Sequence, residues 1–366
     1  MLAFYGWTDN MLLTHCAVKT GSYSTEAADL YVLKLERVTE KVLECIRASG
    51  IFENVFILDI PGIRFPKALY LPFKLLSGKR YDRMVRDYYQ ECGSRKYRLL
   101  FTGGLWSYTV FLFSAMKERN PGLEIAITEE GMADYCDRLA FLWLDPISDT
   151  RSKLLKHIFY GSRKSQATVD AVRSLYLSRP EFVNFGEQFR KVPLNRSAPK
   201  FQELLSAISD NSVPDGYDRP VQFFLQPEPG NERELTSHLF HLLCGEVGEA
   251  NVLVKTHPND KSANSIWCDM PDIAADCSGM MFDIIASSRD WDTHVLIARS
   301  SSCLLLPLFY RNSHPTLIFL YKLYPPHSLS FVVDSVISIL KQEYVDCSRI
   351  LVPETEEEYM KIISNL

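Results

Sequence analysis

Three short stretches bring together side chains that could move a proton or hold an anion. In ITEEGMADY, Glu129 and Glu130 close an apolar run and are followed by Gly131. Two adjacent carboxylates before a glycine predict a sharp turn with one side chain directed into a cleft. A carboxylate partly withdrawn from water there has a raised pKa, which suits a general base. In NVLVKTHPND, an apolar run ends in Lys255, Thr256, His257 and Pro258. Histidine titrates near neutrality, so it can hydrogen-bond a phosphate or give a proton to a departing oxygen. In ARSSSCLLLPLF, Ser300, Ser301 and Ser302 follow an apolar run and precede an apolar helical stretch. Hydroxyls and free amides at a helix start could hold an anion. Each stretch also has a plainer reading: a solvated loop for the glutamates, an ordinary loop histidine, and an N-cap for the serines.

What must position these residues is a set of strands. Apolar runs at 1–7, 28–35, 54–60, 97–103 and 123–130 read as buried strands, with helical periods such as ERVTEKVLECIRAS and WSYTVFLFSAMKER between them. Strands separated by helices of this length predict a parallel sheet with right-handed crossovers. Residues 136–200 read as mostly helical and rich in Arg and Lys. The stretch SAISDNSVPDGYDRPV, dense in Asp, Ser, Pro and Gly, reads as a linker. The alternation then resumes, with strands at 221–226, 251–255, 293–298 and 315–321 and near SRILVP, and helices over 232–244 and around 277–287. The ending ETEEEYMKIISNL reads as a helix capped by Thr355, with three glutamates where the helix dipole favours them. The expected organisation is a Rossmann-like domain over 1–205, a linker over 206–220 and a second Rossmann-like domain over 221–366, the last helix returning to pack on the first domain. All three polar stretches directly follow strands, and open α/β sheets bind ligands beyond the carboxyl ends of their strands.

Composition narrows the classes. The chain has 366 residues, long for one core, with 46% hydrophobic and 23% charged residues, ordinary for a globular protein. A net charge of -5 argues against a general nucleic-acid binder, so no nucleic-acid partner is expected. The nine cysteines are scattered without a CxxC pair, as reduced thiols in a cytoplasmic protein would be. The start MLAFYGWTDNMLL has no basic n-region, and no window approaches a spanning length, so neither a secretory signal nor a membrane span is expected.

Taken in order along the chain, Glu129-Glu130-Gly131, His257-Pro258 and the run of Ser300, Ser301 and Ser302 resemble the signatures of the bacterial sialyltransferases that include lipooligosaccharide sialyltransferases and capsular polysialyltransferases. Those signatures are an acidic pair followed by Gly, a His-Pro, and a Ser pair downstream. The resemblance implies a GT-B fold, two Rossmann-like domains facing across a cleft. It implies a CMP-sugar donor, usually CMP-sialic acid, and an oligosaccharide or glycolipid acceptor such as lipooligosaccharide or capsule. Neither a cofactor nor a metal is implied, because a departing nucleoside monophosphate develops less charge than a diphosphate. By the same resemblance Glu130 takes the acceptor proton, and His257 protonates or hydrogen-bonds the leaving phosphate. Ser301 and Ser302 hold its oxygens, with Glu129, Lys255, Pro258 and Ser300 on the donor side. Gly103 and Gly104 would let backbone approach the donor sugar. The loops from Gln226 and from Pro271 could meet cytosine or ribose.

The chain departs from the family pattern in places. Both acids of the pair are Glu, the serine run has three members, and the first strand ends YGWTDN where many relatives have Thr-Pro, which leaves Thr8 without a firm role. Asp290-Trp291-Asp292 has the DxD form of metal-dependent transferases but precedes a strand, where no metal site is expected. His238 and His241 have HxxH spacing without a third ligand and read as structural. The absence of GxGxxG, Walker A and GxSxG patterns lowers the case for oxidoreductases, ATPases and α/β-hydrolases. Residues 64–89 mix aromatics with Lys67, Lys74, Lys79, Arg80, Arg83 and Arg86, which could rest on an anionic membrane as a peripheral contact, cradle an acidic glycan, or cover the sheet as a solvated helix. The alternatives are a transferase of the same fold using CMP-Kdo, another CMP-nonulosonate or a UDP-sugar, and a nucleotide-binding protein without catalysis.

Overall fold

The computed structural model describes residues 1–33, 38–58, 95–105, 107–131, 135, 162–183, 186–209, 213–227, 230–257, 266–325 and 330–366. The expected amphipathic segment at 64–89 lies outside the described residues, as do Pro258 and positions 136–161. Two compact units divide the chain, Met1–Leu204 and Leu205–Leu366.

In the first unit the strands are β1 (Leu2–Gly6), β2 (Ala28–Leu33), β3 (Asn54–Leu58), β4 (Leu99–Thr102), β5 (Glu124–Thr128), β6 (Val172–Leu177) and β7 (Arg190–Pro193). They form a wholly parallel sheet in the order β3-β2-β1-β4-β5-β6-β7. The helices are α1 (Asp9–Ser22), α2 (Glu40–Ser49), α3 (Ser107–Arg119) and α4 (Ser162–Val169). The central strand β1 is buried at all five positions, as a strand of a parallel sheet covered on both faces must be. Phe4 stacks on Phe101 of the neighbouring strand with centroids 4.3 Å apart. Thr8 stops β1 and starts α1, its hydroxyl accepting from the Met11 amide at 3.2 Å.

Helix α5 (Pro199–Ser209) runs through the division between the units. The second unit contains β8 (Val221–Phe224), α6 (Gly230–Val247), β9 (Val252–Lys255), β10 (Ala274–Asp276), α7 (Phe282–Ser288), β11 (Val295–Ala298), α8 (Leu306–Arg311), β12 (Thr316–Phe319), α9 (Ser330–Glu343), β13 (Ile350–Leu351) and α10 (Glu356–Ile363). Its sheet is again parallel, in the order β10-β9-β8-β11-β12-β13. Both sheets therefore reverse strand order beside their first strand, the arrangement of a Rossmann fold. The core around Phe223, Phe240 and Val254 includes Tyr359 and Ile363, so the last helix buries its apolar face within its own unit. Thr355 caps that helix as its sequence predicts, accepting from the Glu358 amide at 3.2 Å.

The structure corrects four element readings. Residues 136–200 hold two strands, β6 and β7, as well as helix. The polar stretch after 205 begins inside α5, whose buried Leu205 and Ile208 keep it helical to Ser209. The stretch ahead of Asp276 contains β10, only three residues long, and α9 lies where no helix is expected.

Candidate functional site

Because β8, β9, β10 and β11 lie side by side and point the same way, the residues that follow them share one edge of the second sheet. Gln226 follows β8, Thr256 and His257 follow β9, and Arg299, Ser300 and Ser301 follow β11. The Ser300 hydroxyl reaches Gln226 Oε1 at 3.5 Å, a long contact that bridges β8 and β11 at the point of reversal. Ser301 caps the turn Ser302–Leu305 by accepting from the Cys303 amide at 3.1 Å. The serine run thus leads into a single turn and the six-residue α8, not into a long helix with a strong dipole. His257 is half-buried immediately past the end of β9.

Two residues at this edge were not singled out from sequence. Arg299 donates to Glu232, with Nη1 at 2.5 Å and Nη2 at 3.4 Å, and lies 4.4 Å over the Tyr324 ring. Glu232 occupies the first turn of α6, where the helix dipole favours a carboxylate. The available signal was Arg299 directly before the serines, but its partner is 67 positions away.

Lys255 is not presented at the sheet mouth. It is buried, its ammonium donating to Asp276 Oδ2 and to the Met280 carbonyl, both at 2.7 Å. Asp276 is buried too, which by itself would raise its carboxyl. The Lys255 ammonium and the Ser278 and Tyr217 hydroxyls outweigh that and hold it below the usual carboxylate range. Pro271 lies on the opposite edge of the sheet, in the exposed turn before β10, where Arg219 gathers the Asp272, Glu249 and Val252 carbonyls. It is not among the residues that gather beyond the strand ends.

In the first unit the acidic pair divides. Glu129 is 4% exposed and its carboxylate is fully engaged. Oε2 accepts from the Tyr135 hydroxyl at 2.6 Å and the Ser178 amide at 2.5 Å, while Arg196 lies 3.5 Å from Oε1. Burial and the neighbouring carboxylate keep the Tyr135 phenol well above its ordinary range, so it stays a donor. Glu130 is half-buried at the carboxyl edge, and its backbone carbonyl accepts from Asn10 of α1 at 2.8 Å. The carboxylate of Glu129 is tied into the fold, and Glu130 stands half-buried at the strand end.

Gly103 and Gly104 follow β4 on that same edge. A Cβ on Gly103 would come within 2.6 Å of Met11 Cε, the mobile end of a side chain of α1 that would have to shift to admit it. The Gly104 carbonyl accepts from Thr109 at 2.8 Å. Beneath the edge, His15 is wholly buried, its Nε2 3.1 Å from the Thr128 hydroxyl. Burial pushes its imidazole down to about 3, so it is neutral at physiological pH. Asp290 and Asp292 are turn formers: Asp290 Oδ1 accepts from the Asp292 amide and Ser313, and Asp292 Oδ1 accepts from the His314 amide. Among the described residues no group of three or more His, Cys, Asp or Glu is placed to hold a metal ion. Nor is any helix among them long and apolar enough to cross a membrane.

No protein-family model matches the chain, and no curated protein matches it. Solved structures do. UGT89C1 from Arabidopsis thaliana, complexed with UDP-L-rhamnose, is 11% identical over 99% of this chain and 88% of its own, with a TM-score of 0.60. The UDP-GlcNAc 2-epimerase from Neisseria meningitidis, bound to UDP-GlcNAc, is 9% identical over 100% of this chain and 98% of its own, with a TM-score of 0.53. A sialyltransferase from Photobacterium damselae, in its GT-B domain, is 12% identical over 96% and 99%, at a TM-score of 0.47, too low to carry weight. At these identities the likeness fixes the architecture. The fold is GT-B, two Rossmann-like domains in tandem.

Proposed function

We propose that the chain is a nucleotide-sugar-dependent glycosyltransferase, and more narrowly an inverting enzyme that moves sialic acid from CMP-sialic acid to a hydroxyl of a glycan acceptor. The observation that supports this reading is the placement of Gln226, His257 and Ser300 just past the carboxyl ends of the neighbouring strands β8, β9 and β11, with strand order reversing between β8 and β11. A Rossmann sheet takes nucleotides at that point.

Sialic acid has a carboxylate and no hydrogen on its anomeric carbon, so substitution there passes through an oxocarbenium-like state. Glu130 takes the proton of the acceptor hydroxyl, whose oxygen bonds to the anomeric carbon. The bond from that carbon to the phosphate oxygen breaks, and its electron pair leaves with CMP. His257 hydrogen-bonds or protonates the departing oxygen, and Ser301 and Ser302 hold the phosphate. A single in-line displacement inverts the configuration. A cytoplasmic setting, with residues 64–89 against a membrane that carries the acceptor, belongs to the same reading.

The test is calorimetric titration with CMP, UDP and CMP-sialic acid in EDTA, on the wild type and on His257→Ala and Glu130→Gln. CMP is expected to bind without a metal, and His257→Ala to lose that binding. Glu130→Gln should bind CMP normally while transfer falls by about 10²- to 10⁴-fold, the usual worth of a general base. Preference for UDP would reassign the donor. Binding of no nucleotide would overturn the reading.

A further inference from the structure

Lys255, Asp276 and Tyr217 form a buried polar cluster that the proposed chemistry does not use. Lys255 ends β9 and Asp276 ends β10, and the two are paired in register. The chain therefore leaves these strands side by side, toward His257 on one and toward residues 277–281 on the other. Both exits are tied to Asp276. The Thr256 amide and hydroxyl each reach the Asp276 carbonyl at 3.1 Å, fixing the residue just before His257. Asp276 Oδ1 accepts from the Ser278 amide at 2.9 Å and the Ser278 hydroxyl at 2.6 Å. Ser278 Oγ in turn accepts from the Met280 amide at 3.1 Å, folding 277–281 into a tight turn through Gly279 at φ +74°. Asp276 Oδ2 accepts from Lys255 and, at 2.6 Å, from the Tyr217 hydroxyl, and Lys255 also holds the Met280 carbonyl.

We propose that Asp276 is a positioning residue of the nucleotide site: through Thr256 and Lys255 it sets the strand exit that carries His257, and through Ser278 and Met280 it holds residues 277–281 beside that exit as a wall of the phosphate subsite. The inference rests on the nucleotide reading above and adds residues that act without touching the ligand. A carboxylate with four donors around it has one arrangement. Loosening it lets His257 and the neighbouring turn drift from the phosphate while the cytidine end of the ligand is held elsewhere.

The test compares CMP with cytidine, each titrated calorimetrically into the full chain. Asp276→Asn keeps the backbone carbonyl for Thr256 and one side-chain oxygen for Ser278 but replaces the oxygen that accepts from Lys255 and Tyr217 with an NH2, which leaves Lys255 buried without its counter-charge, so folding is checked by circular dichroism. Ser278→Ala and Thr256→Val give milder cuts at an exposed and a half-buried position. The expected result is a CMP affinity lower by about tenfold, the size of one charge-assisted hydrogen bond lost to the phosphate, with cytidine affinity unchanged. Amide exchange over 277–281 should quicken in Ser278→Ala. Folded variants that bind CMP like the wild type, where His257→Ala does not, would overturn the positioning role and leave the nucleotide reading standing. Equal loss of CMP and cytidine would also overturn it, by showing general damage. A wild type that binds neither would overturn both.

Discussion

Glu129 and Glu130 are the same side chain one residue apart, and only their surroundings distinguish them. Glu129 shares a buried ion pair with Arg196, at 5% and 3% side-chain exposure. Removing one partner of a buried, hydrogen-bonded ion pair is strongly destabilising, so Glu129→Gln should lower stability by about 3 kcal/mol in urea unfolding. Glu130→Gln, at the edge, should stay within about 0.5 kcal/mol of the wild type. His15 offers a pH prediction at the same scale. Its folded pKa of about 3 lies below the ordinary value of 6.5, so the unfolded chain binds the extra proton between those limits. Its contribution is complete above pH 6.5 and is lost as pH falls toward 3, on the order of 5 kcal/mol in all. Replacing it by the non-titrating His15→Gln should flatten the stability curve over that window relative to the wild type. Equal slopes would show that other groups drive the acid response.

At the scale of elements, apolar runs were readable because parallel strands are buried on both faces. Runs such as LAFYG in β1 and VLVK in β9 are continuous, and local composition marks them without help from tertiary context. The strands that escaped notice are those where this rule weakens. β7 is an edge strand, half covered, with the polar sequence RKVP, and β10 contributes three residues. The candidate site was legible to a similar degree. Glu130, His257 and Ser300 stand at strand ends as their positions implied. The role of Lys255 did not show, because its partner Asp276 lies 21 residues on and no local pattern joins them. The same limit hid the Arg299–Glu232 pair. Helix α10 shows local coding at its clearest, since its cap is contained within four residues. Thr355→Ala should cost about 1 kcal/mol in thermal or urea unfolding, and Thr355→Ser much less.

At the scale of the molecule, the described residues form two sheets in two compact units, and a chain so divided is not expected to unfold in one cooperative step. Differential scanning calorimetry should resolve two transitions. Saturating CMP at about 100 times its Kd should raise one of them by the equivalent of about 2.7 kcal/mol. A destabilising change in the second unit's core, such as Phe240→Ala, should lower that same transition. If CMP moved the other transition, the nucleotide would belong to the first unit. The two sheets also share one plan, since β3-β2-β1-β4-β5-β6 and β10-β9-β8-β11-β12-β13 run in the same sense from the same reversal. Each strand of the second sheet has a counterpart in the first, which adds only β7 at its edge, so Gly103 after β4 occupies the station that Arg299 occupies after β11. A repeated plan lets one copy accumulate change while the other is held to its task. Chimaeras exchanging residues 1–204 with those of another GT-B chain should therefore inherit acceptor range from one parent and donor preference from the other, as separable traits.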